Sequence, residues 1–297
     1  MLPITALSPG FKSCYPYRGR AAPEESETMA SKPTLMTTTL WDFPSQQYGD
    51  EQQGDKNYKG ATPAYILWNL LQRYTRPKDL VIDPMAGSGT TLDVARELGR
   101  RALGYDLQPT RPDIFRCDAR KLPLQDGKAS FVFIDPPYST HLEYSDDPRC
   151  IGKLDAQNKE YYEAMELVIA EIDRVLRPGR HMALYVSDSF QKGKPFCPIG
   201  FDLFSMMRRR FEPVDIITVT RRNKNLEKGN WHAAAVEGNY FLRGFNYLFI
   251  MRKPEKSGAP VRPERKAERP ELKPPQARNF TRPPRQGTPP ARTPRQK

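Results

Sequence analysis

The sequence lacks long apolar runs and has few cysteines. No run approaches the roughly 18 to 20 apolar residues of a membrane-spanning helix. The first ten of its 297 residues lack the cationic start and apolar block of a signal peptide. The four cysteines lie far apart, at positions 14, 117, 150 and 197, which excludes the paired spacing of a zinc site or a small disulfide scaffold. We therefore expect a soluble protein of a reducing compartment, the cytoplasm, with no membrane segment and no metal site.

Acidic residues are few at the C-terminal end, where proline and basic residues are concentrated. Residues 254–297 hold eleven of the 30 prolines, with twelve Lys and Arg against four Glu. This segment therefore carries eight of the twelve net positive charges, and net charge alone does not indicate that the rest of the chain binds nucleic acid. We predict a disordered basic tail over 254–297 that binds phosphates without sequence specificity, and a disordered N-terminal segment over 1–38.

Between residues 39 and 253, apolar strands alternate with amphipathic helices, and we predict one folded domain there. We expect strands at 80–83, 102–106, 114–118, 131–135, 182–186, 214–219 and 245–251, and helices at 63–74, 88–98, 158–176 and 199–211. This alternation is typical of an α/β fold, with a doubly wound and mostly parallel sheet of seven strands. The last two strands have no clear helix between them, so we expect an antiparallel strand at the edge.

A glycine-rich turn follows the first of these strands, in the run Asp83-Pro84-Met85-Ala86-Gly87-Ser88-Gly89-Thr90-Thr91. Glycines at a strand-to-helix turn let a ligand approach the backbone closely, and the helix start offers free N–H groups. The run is not a dinucleotide fingerprint, because Leu92 stands at the third glycine position. It is not a phosphate-binding P-loop, because the lysine is missing. A tight turn without a ligand remains the alternative, and Asp83 at the strand end weighs against it.

Two further acids stand at the ends of the next strands. Asp106 comes 17 residues after Gly89, where an acid accepts hydrogen bonds from ribose hydroxyls in doubly wound sheets. Asp118 ends the third strand and is placed to meet an adenine amino group. Either acid alone could be a solvated strand end, but together with the glycine-rich turn they predict a nucleoside pocket at the carboxyl edge of the sheet.

The fourth strand ends in the rare tetrapeptide Asp135-Pro136-Pro137-Tyr138. It lies at the carboxyl end of a central strand beside the glycine-rich turn, where ligands of open α/β sheets bind. A rigid turn without a functional role is the alternative.

The glycine-rich run followed by this tetrapeptide resembles the S-adenosylmethionine-dependent amino-methyltransferases that modify N6 of adenine or N4 of cytosine. The resemblance covers about residues 40–253, and Thr62-Pro63 resembles the family's extra element on the cofactor side. It implies a Rossmann-like class I methyltransferase fold and S-adenosylmethionine as cofactor. It also implies the residues that hold this cofactor: Thr62, Asp83, Pro84, Ala86, Gly87, Gly89 and Asp106, with Asp118 as the adenine contact proposed above.

The same resemblance implies catalytic roles for Asp135, Pro136, Pro137 and Tyr138. An exocyclic amino nitrogen is a poor nucleophile because its lone pair is delocalised into the ring. Hydrogen bonds to the Asp135 carboxylate and the Pro136 carbonyl would localise that pair and stabilise the positive charge that develops. The prolines would stiffen the loop, and Tyr138 would stack on a base that has left its duplex.

Four weaker candidates, His141, Arg221, Asn223 and Trp231, are expected near the substrate. His141 follows the tetrapeptide, and the others lie in a basic and aromatic stretch before the last strand. Such a stretch can contact phosphates and bases, but a solvated loop is an equal alternative.

The expected substrate is nucleic acid, with DNA narrowly ahead of RNA. About 215 folded residues leave little room for the target-recognition region of sequence-specific DNA methyltransferases. A folded region this short fits an enzyme that modifies a structured RNA such as ribosomal RNA. Two other classes stay open. Protein glutamine methyltransferases share the motif order but typically have Asn where this chain has Asp135, and a non-catalytic RNA-binding scaffold would need neither motif intact. Oligomeric state cannot be predicted from the sequence.

Overall fold

The structure is a computed structural model, and it describes residues 33–138, 140, 142–190, 193–221, 226 and 228–255. The two segments predicted to be disordered lie almost wholly outside these residues, as do His141 and Asn223. Residues 33–38 of the first segment are described. There the backbone N–H of Met36 donates to Oδ1 of Asn69 at 2.8 Å, which ties the chain to the folded body before residue 39.

The described chain contains eight strands and five α-helices. The strands are β1 Leu40–Trp41, β2 Leu80–Asp83, β3 Arg101–Asp106, β4 Ile114–Arg116, β5 Ala129–Ile134, β6 Leu176–Val186, β7 Glu212–Thr220 and β8 Phe245–Arg252. The helices are α1 Ala64–Tyr74, α2 Thr90–Glu97, α3 Lys159–Val175, α4 Ile199–Met207 and α5 Gly229–Glu237. Within the described ranges, every predicted strand and helix is found with shifts of a few residues at its ends. No described helix is both long and apolar enough to cross a membrane.

The strands form one sheet in the order β1-β7-β8-β6-β5-β2-β3-β4, and all neighbours are parallel except where β8 meets β6 and β7. The predicted α/β class and mostly parallel sheet are confirmed, and two details differ. The sheet has eight strands, because β1 is two residues long and too short to give a pattern in sequence. The antiparallel strand β8 lies inside the sheet, between β6 and β7, and not at its edge.

Helix α5 lies between β7 and β8, where no helix was predicted. Only Ala235 of this helix is buried, so its sequence shows no apolar stripe by which it could have been recognised.

Apolar side chains cover both faces of the sheet, as expected for a doubly wound fold. Along β5, Phe131 and Phe133 point into the core formed with α1 and α2, while Val132 and Ile134 point into the core formed with α3. All six residues of β5 are buried. Because side chains alternate along a strand, the residue after β5, Asp135, continues the row that faces α1.

Candidate active site

The loops that follow β2, β3, β4 and β5 meet at the carboxyl edge of the sheet. Strands β2 and β3 end in the predicted acids Asp83 and Asp106, and the loops after β4 and β5 contain Asp118 and Asp135. The order of the strands places these four loops side by side, which is the usual ligand position of an open α/β sheet.

Asp83 fastens the glycine-rich turn to the first turn of α2. Its Oδ2 accepts a hydrogen bond from Oγ1 of Thr91 at 2.6 Å, and its Oδ1 accepts one from the backbone N–H of Met85 at 3.0 Å. Burial raises the pKa of Asp83 to about 7 against the effect of these two hydrogen bonds, and the nearby Asp106 carboxylate adds to the rise. The turn therefore contains a buried carboxyl group that loses its proton less readily than an exposed aspartate.

The two glycines of this turn are required by its backbone. Gly87 has a φ of +45° and donates its N–H to Oδ2 of Asp106 at 3.0 Å, while Gly89, with a φ of +82°, caps α2. A Cβ at Gly87 would lie 2.8 Å from the ring of Tyr58. The Cβ position of Gly87 is thus filled by the Tyr58 ring, while the glycine itself lines a cleft at this edge.

Asp106 and Asp118 both line the cleft predicted for a nucleoside, but their carboxylates are occupied differently. Asp106 accepts from the backbone of Gly87 and, through Oδ1, from the N–H of Gln108 at 2.9 Å. Asp118 accepts from the Arg120 guanidinium at both oxygens, at 2.9 and 2.6 Å. Burial would raise the pKa of Asp118, but these bonds outweigh it and lower the pKa. An adenine contact would therefore have to share this carboxylate with Arg120.

Two clefts open at this edge, with Tyr58, Met85, Asp135 and Tyr144 lining both. The larger adds Pro84, Asp106, Asp118 and Pro137 among its lining residues. The smaller adds Thr62, Asp83, Ala86, Gly87 and Tyr138. Sequence reasoning missed Tyr58 and Tyr144, because both lie in loops where no periodicity or motif distinguishes them.

Asp135 stands between the two clefts and is held by Thr62. The Thr62 hydroxyl donates to Oδ2 of Asp135 at 2.6 Å, across 73 residues of sequence. Burial raises the pKa of Asp135 to about 7; the bond from Thr62 lowers it, and the Asp83 carboxylate raises it further. Thr62 was predicted only as a cofactor residue, and the structure adds a direct bond to the predicted catalytic carboxylate.

The two prolines of the tetrapeptide are held by the surrounding core. Pro136 is buried, and the hydroxyl of the fully buried Tyr161 on α3 donates to the carbonyl oxygen of Pro137 at 3.0 Å. Burial and the Asp135 carboxylate raise the pKa of Tyr138, and the Arg221 guanidinium opposes them. Tyr138 therefore lies near both Asp135, the predicted catalytic acid, and one of the predicted substrate residues.

The four predicted substrate residues fall into three groups. Arg221 follows β7 and donates through Nη1 to Oγ of Ser187 at 3.3 Å. Trp231 lies on α5 with 44% of its surface exposed. His141 and Asn223 lie outside the described residues, and Arg221 is the predicted substrate residue whose charge acts on Tyr138.

Comparisons with known proteins agree with this geometry. A family model described as DNA methylase matches residues 15–116 and 129–292. The type II methyltransferase M.HinfI of Haemophilus influenzae is 31% identical over 72 residues, which is 24% of this chain and 20% of that protein. The type II methyltransferase M1.MboII of Moraxella bovis is 32% identical over 71 residues, 23% of this chain and 27% of that protein. The matched segments thus span about a quarter or less of each of these relatives' length.

Solved structures resemble the chain more distantly. TrmN from Thermus thermophilus is 18% identical, with a TM-score of 0.43 over 66% of this chain and 50% of that one. A 1,6-didemethyltoxoflavin-N1-methyltransferase from Burkholderia thailandensis, solved with S-adenosylhomocysteine, is 18% identical, with a TM-score of 0.41 over 65% of this chain and 76% of that one. Scores of this size do not bear on the substrate.

Proposed function

The chain belongs to the DNA methylase family, and from this premise we propose that it transfers a methyl group from S-adenosylmethionine to an exocyclic amino group of a DNA base, N6 of adenine or N4 of cytosine. The observation that carries the proposal is the position of Asp135. Its carboxylate stands at the boundary between two clefts, one with the acids suited to a nucleoside and one with the glycine-rich turn.

S-adenosylmethionine is the cofactor of the family, and the residues of the two clefts fit it. The larger cleft offers Asp106 for ribose hydroxyls and Asp118 at its far side. The smaller cleft offers Asp83, Gly87 and Thr62, so the site has buried carboxyl groups to match a cationic sulfonium. We assign Thr62, Asp83, Pro84, Ala86, Gly87, Gly89, Asp106 and Asp118 to the cofactor side of the site. When bound, the cofactor supplies an electrophilic methyl group.

Asp135 and Pro136 prepare the amino nitrogen for attack. Thr62 occupies Oδ2 of Asp135, which leaves Oδ1 to accept a hydrogen bond from the amino group, while the Pro136 carbonyl accepts the second. These bonds localise the lone pair and stabilise the positive charge that grows on nitrogen. With a pKa raised to about 7 by burial, Asp135 is also a suitable acceptor for the proton that the nitrogen loses. Tyr138 stacks on the base, which must leave its duplex to reach Asp135.

The family favours DNA over RNA as the polymer. Arg221 supplies a positive charge near Tyr138, and the basic tail over 254–297 supplies a sequence-independent attraction to phosphates. Ribosomal RNA remains the second candidate, because the predicted folded domain is short for a separate recognition region.

The proposal is tested by transfer of labelled methyl groups to unmodified genomic DNA and, separately, to unmodified ribosomal RNA, followed by nucleoside analysis. We expect N6-methyladenine or N4-methylcytosine in DNA. Asp135→Ala should lower the rate by about a thousandfold, with affinity for S-adenosylmethionine within a few-fold of wild type. Asp126→Ala, which removes a surface carboxylate paired with Arg174, is the matched control and should keep full activity.

Three results would redirect the proposal. Label only in RNA would move the substrate to the second candidate. Label on peptide glutamine would indicate a protein methyltransferase. Cofactor binding without methyl transfer to DNA, RNA or peptide would indicate a non-catalytic RNA-binding scaffold.

A further inference from the structure

A row of polar side chains continues from Asp135 across the sheet, away from the two clefts. Ile134 of β5 lies beside Leu184 of β6, so the next position toward the carboxyl edge brings Asp135 beside Tyr185. Tyr185 belongs to the core that faces α1, and strand alternation places Asp135 on the same face.

The row extends onto β8 and β7. On β8, Leu248 and Ile250 belong to the core that faces α1, and Asn246 lies on the same face by alternation. Asn246 pairs in register with Val219 of β7, and two residues further Arg221 donates its backbone N–H to the carbonyl of Gly244 at 2.9 Å. Four neighbouring strands thus bring polar side chains to one face of the sheet beside the catalytic acid: Asp135, Tyr185, Asn246 and Arg221.

Tyr185 and Asn246 are nearly buried and are linked to each other. Each has 6% of its surface exposed. Burial raises the pKa of Tyr185 and the Asp135 and Tyr138 side chains add to the rise, while a hydrogen bond from the Asn246 side chain lowers it. The phenol therefore keeps its proton at neutral pH and is a hydrogen-bond donor close to Asp135.

Asn246 has an acceptor that the described protein does not use. Its Oδ1 is buried and has no hydrogen-bond partner among the described residues. Buried polar atoms are almost always paired, and an unpaired one costs free energy. The unpaired Oδ1 shows that this polar row is not fully satisfied within the described protein, and the Tyr185 hydroxyl in the same row is the donor that it offers to a base held at Asp135.

We propose that Tyr185 and Asn246 recognise the target base, with the Tyr185 hydroxyl donating to the ring nitrogen next to the amino group and Asn246 orienting that hydroxyl. This inference rests on the proposed function and specifies how its site selects a base. The ring nitrogen is N1 in adenine and N3 in cytosine, and both are acceptors. Thymine and uracil carry an N–H at N3, so the same donor would reject them.

The first test removes the hydroxyl. Tyr185→Phe in the full chain should lower kcat/KM for unmodified DNA by about 10- to 100-fold, because the substrate nitrogen loses its donor. Affinity for S-adenosylmethionine, measured by calorimetry, should stay within twofold. Tyr74→Phe is the matched control, since this tyrosine stacks on Phe131 of the same β5 strand, away from the carboxyl edge, and should keep full activity.

A second test removes the ring nitrogen from the target base. DNA duplexes carrying 1-deazaadenine or 3-deazacytosine keep the amino group and lack the ring nitrogen. On the analogue of the base that is methylated, wild type should lose as much activity as Tyr185→Phe loses on ordinary DNA, and the variant should lose nothing further. The analogue that shows this effect identifies the base as adenine or cytosine.

Three outcomes overturn the inference. If Tyr185→Phe keeps the wild-type kcat/KM, or if the losses from the variant and the analogue multiply, the hydroxyl does not contact the ring nitrogen, although the proposed function stands. If wild type methylates neither base in nucleic acid, the proposed function fails and this inference fails with it. Asn246→Ala tests the same hydroxyl without changing the Tyr185 side chain. It should lower kcat/KM by about tenfold, because the hydroxyl is no longer held in position.

Discussion

The carboxyl edge of the sheet has two halves that differ in how their polar groups are paired. On the side of β2, β3 and β4, the three acids are held by the protein itself: Asp83 by Thr91 and Met85, Asp106 by Gly87 and Gln108, and Asp118 by Arg120. On the side of β6, β8 and β7, Oδ1 of Asn246 is buried without a partner among the described residues.

Beyond β7 the chain also exposes large apolar side chains, with Phe241 83% and Trp231 44% exposed. A site with paired groups is organised before its ligand arrives, while an unpaired acceptor such as Oδ1 of Asn246 is satisfied only when a ligand or water binds. The comparison supports one half built around a fixed small cofactor and another completed by a variable polymer, with Asp135 between them.

The largest expected effect separates the two halves by a glycine substitution. Gly87→Ala should weaken S-adenosylmethionine binding by about 100-fold, because its Cβ would lie 2.8 Å from Tyr58, a residue that lines both clefts. Gly99→Ala is the matched control: its φ is also positive, at +71°, but a Cβ there meets nothing within 4 Å. Gly99→Ala should lose about 1 kcal/mol of stability through its positive φ alone and Gly87→Ala more because of the added clash, and calorimetry should find cofactor binding impaired only in Gly87→Ala. If Gly87→Ala lost as much affinity for DNA as for S-adenosylmethionine, the two halves would not bind their ligands separately.

A smaller effect concerns the basic tail, which should raise the affinity for DNA without changing the affinity for the cofactor. Residues 257–297 contain eleven Lys and Arg and three Glu. Deleting them leaves the Arg252–Glu255 ion pair in place and should weaken DNA affinity by about tenfold at 0.1 M salt, with a shallower salt dependence. A full-length variant with these Lys and Arg changed to Gln should behave like the deletion. Titrations that coincide at every salt concentration would show that the tail makes no contribution.

The smallest effect concerns the boundary between the halves, where Thr62 holds Asp135. The bond from Thr62 lowers the pKa of Asp135, which burial raises to about 7. The active form is the carboxylate, so the rate should rise with pH through about 7. Thr62→Val removes the donor and should move that midpoint upward by about half a unit, a roughly threefold lower rate at pH 6. Thr62→Ser should keep the wild-type profile, and an equal loss at every pH would show that Thr62 acts only through packing.

Much of the cofactor half could be predicted from the sequence because its residues are local to strand ends. Asp83, Asp106 and Asp135 each stand at the end of an apolar run, and parallel strands bring their carboxyl ends to one edge. The missing helix between the last two strands gave the antiparallel direction, but the place of β8 between β6 and β7 could not be predicted, since the strand is as apolar as its neighbours and its position depends on pairing with both.

The remaining features depend on contacts between distant parts of the chain. The bond from Thr62 to Asp135 spans 73 residues, and Tyr58 reaches Gly87 from a loop without periodicity. Tyr185 lies in a strand whose apolar pattern suggests only core packing. The pairing of Asp118 with Arg120 is local, but its spacing is too common to distinguish an occupied carboxylate from a free one.

The direction of β8 has a consequence for how the substrate could change in evolution. In a wholly parallel sheet, the chain leaving β7 would have to cross to the opposite edge before starting a new strand. Because β8 runs antiparallel to β7, the segment 221–244 leaves and returns at the edge of the sheet that carries the two clefts. This segment can lengthen or change sequence without disturbing the register of any strand, so new recognition loops could be added there while the methyl-transfer chemistry stays the same.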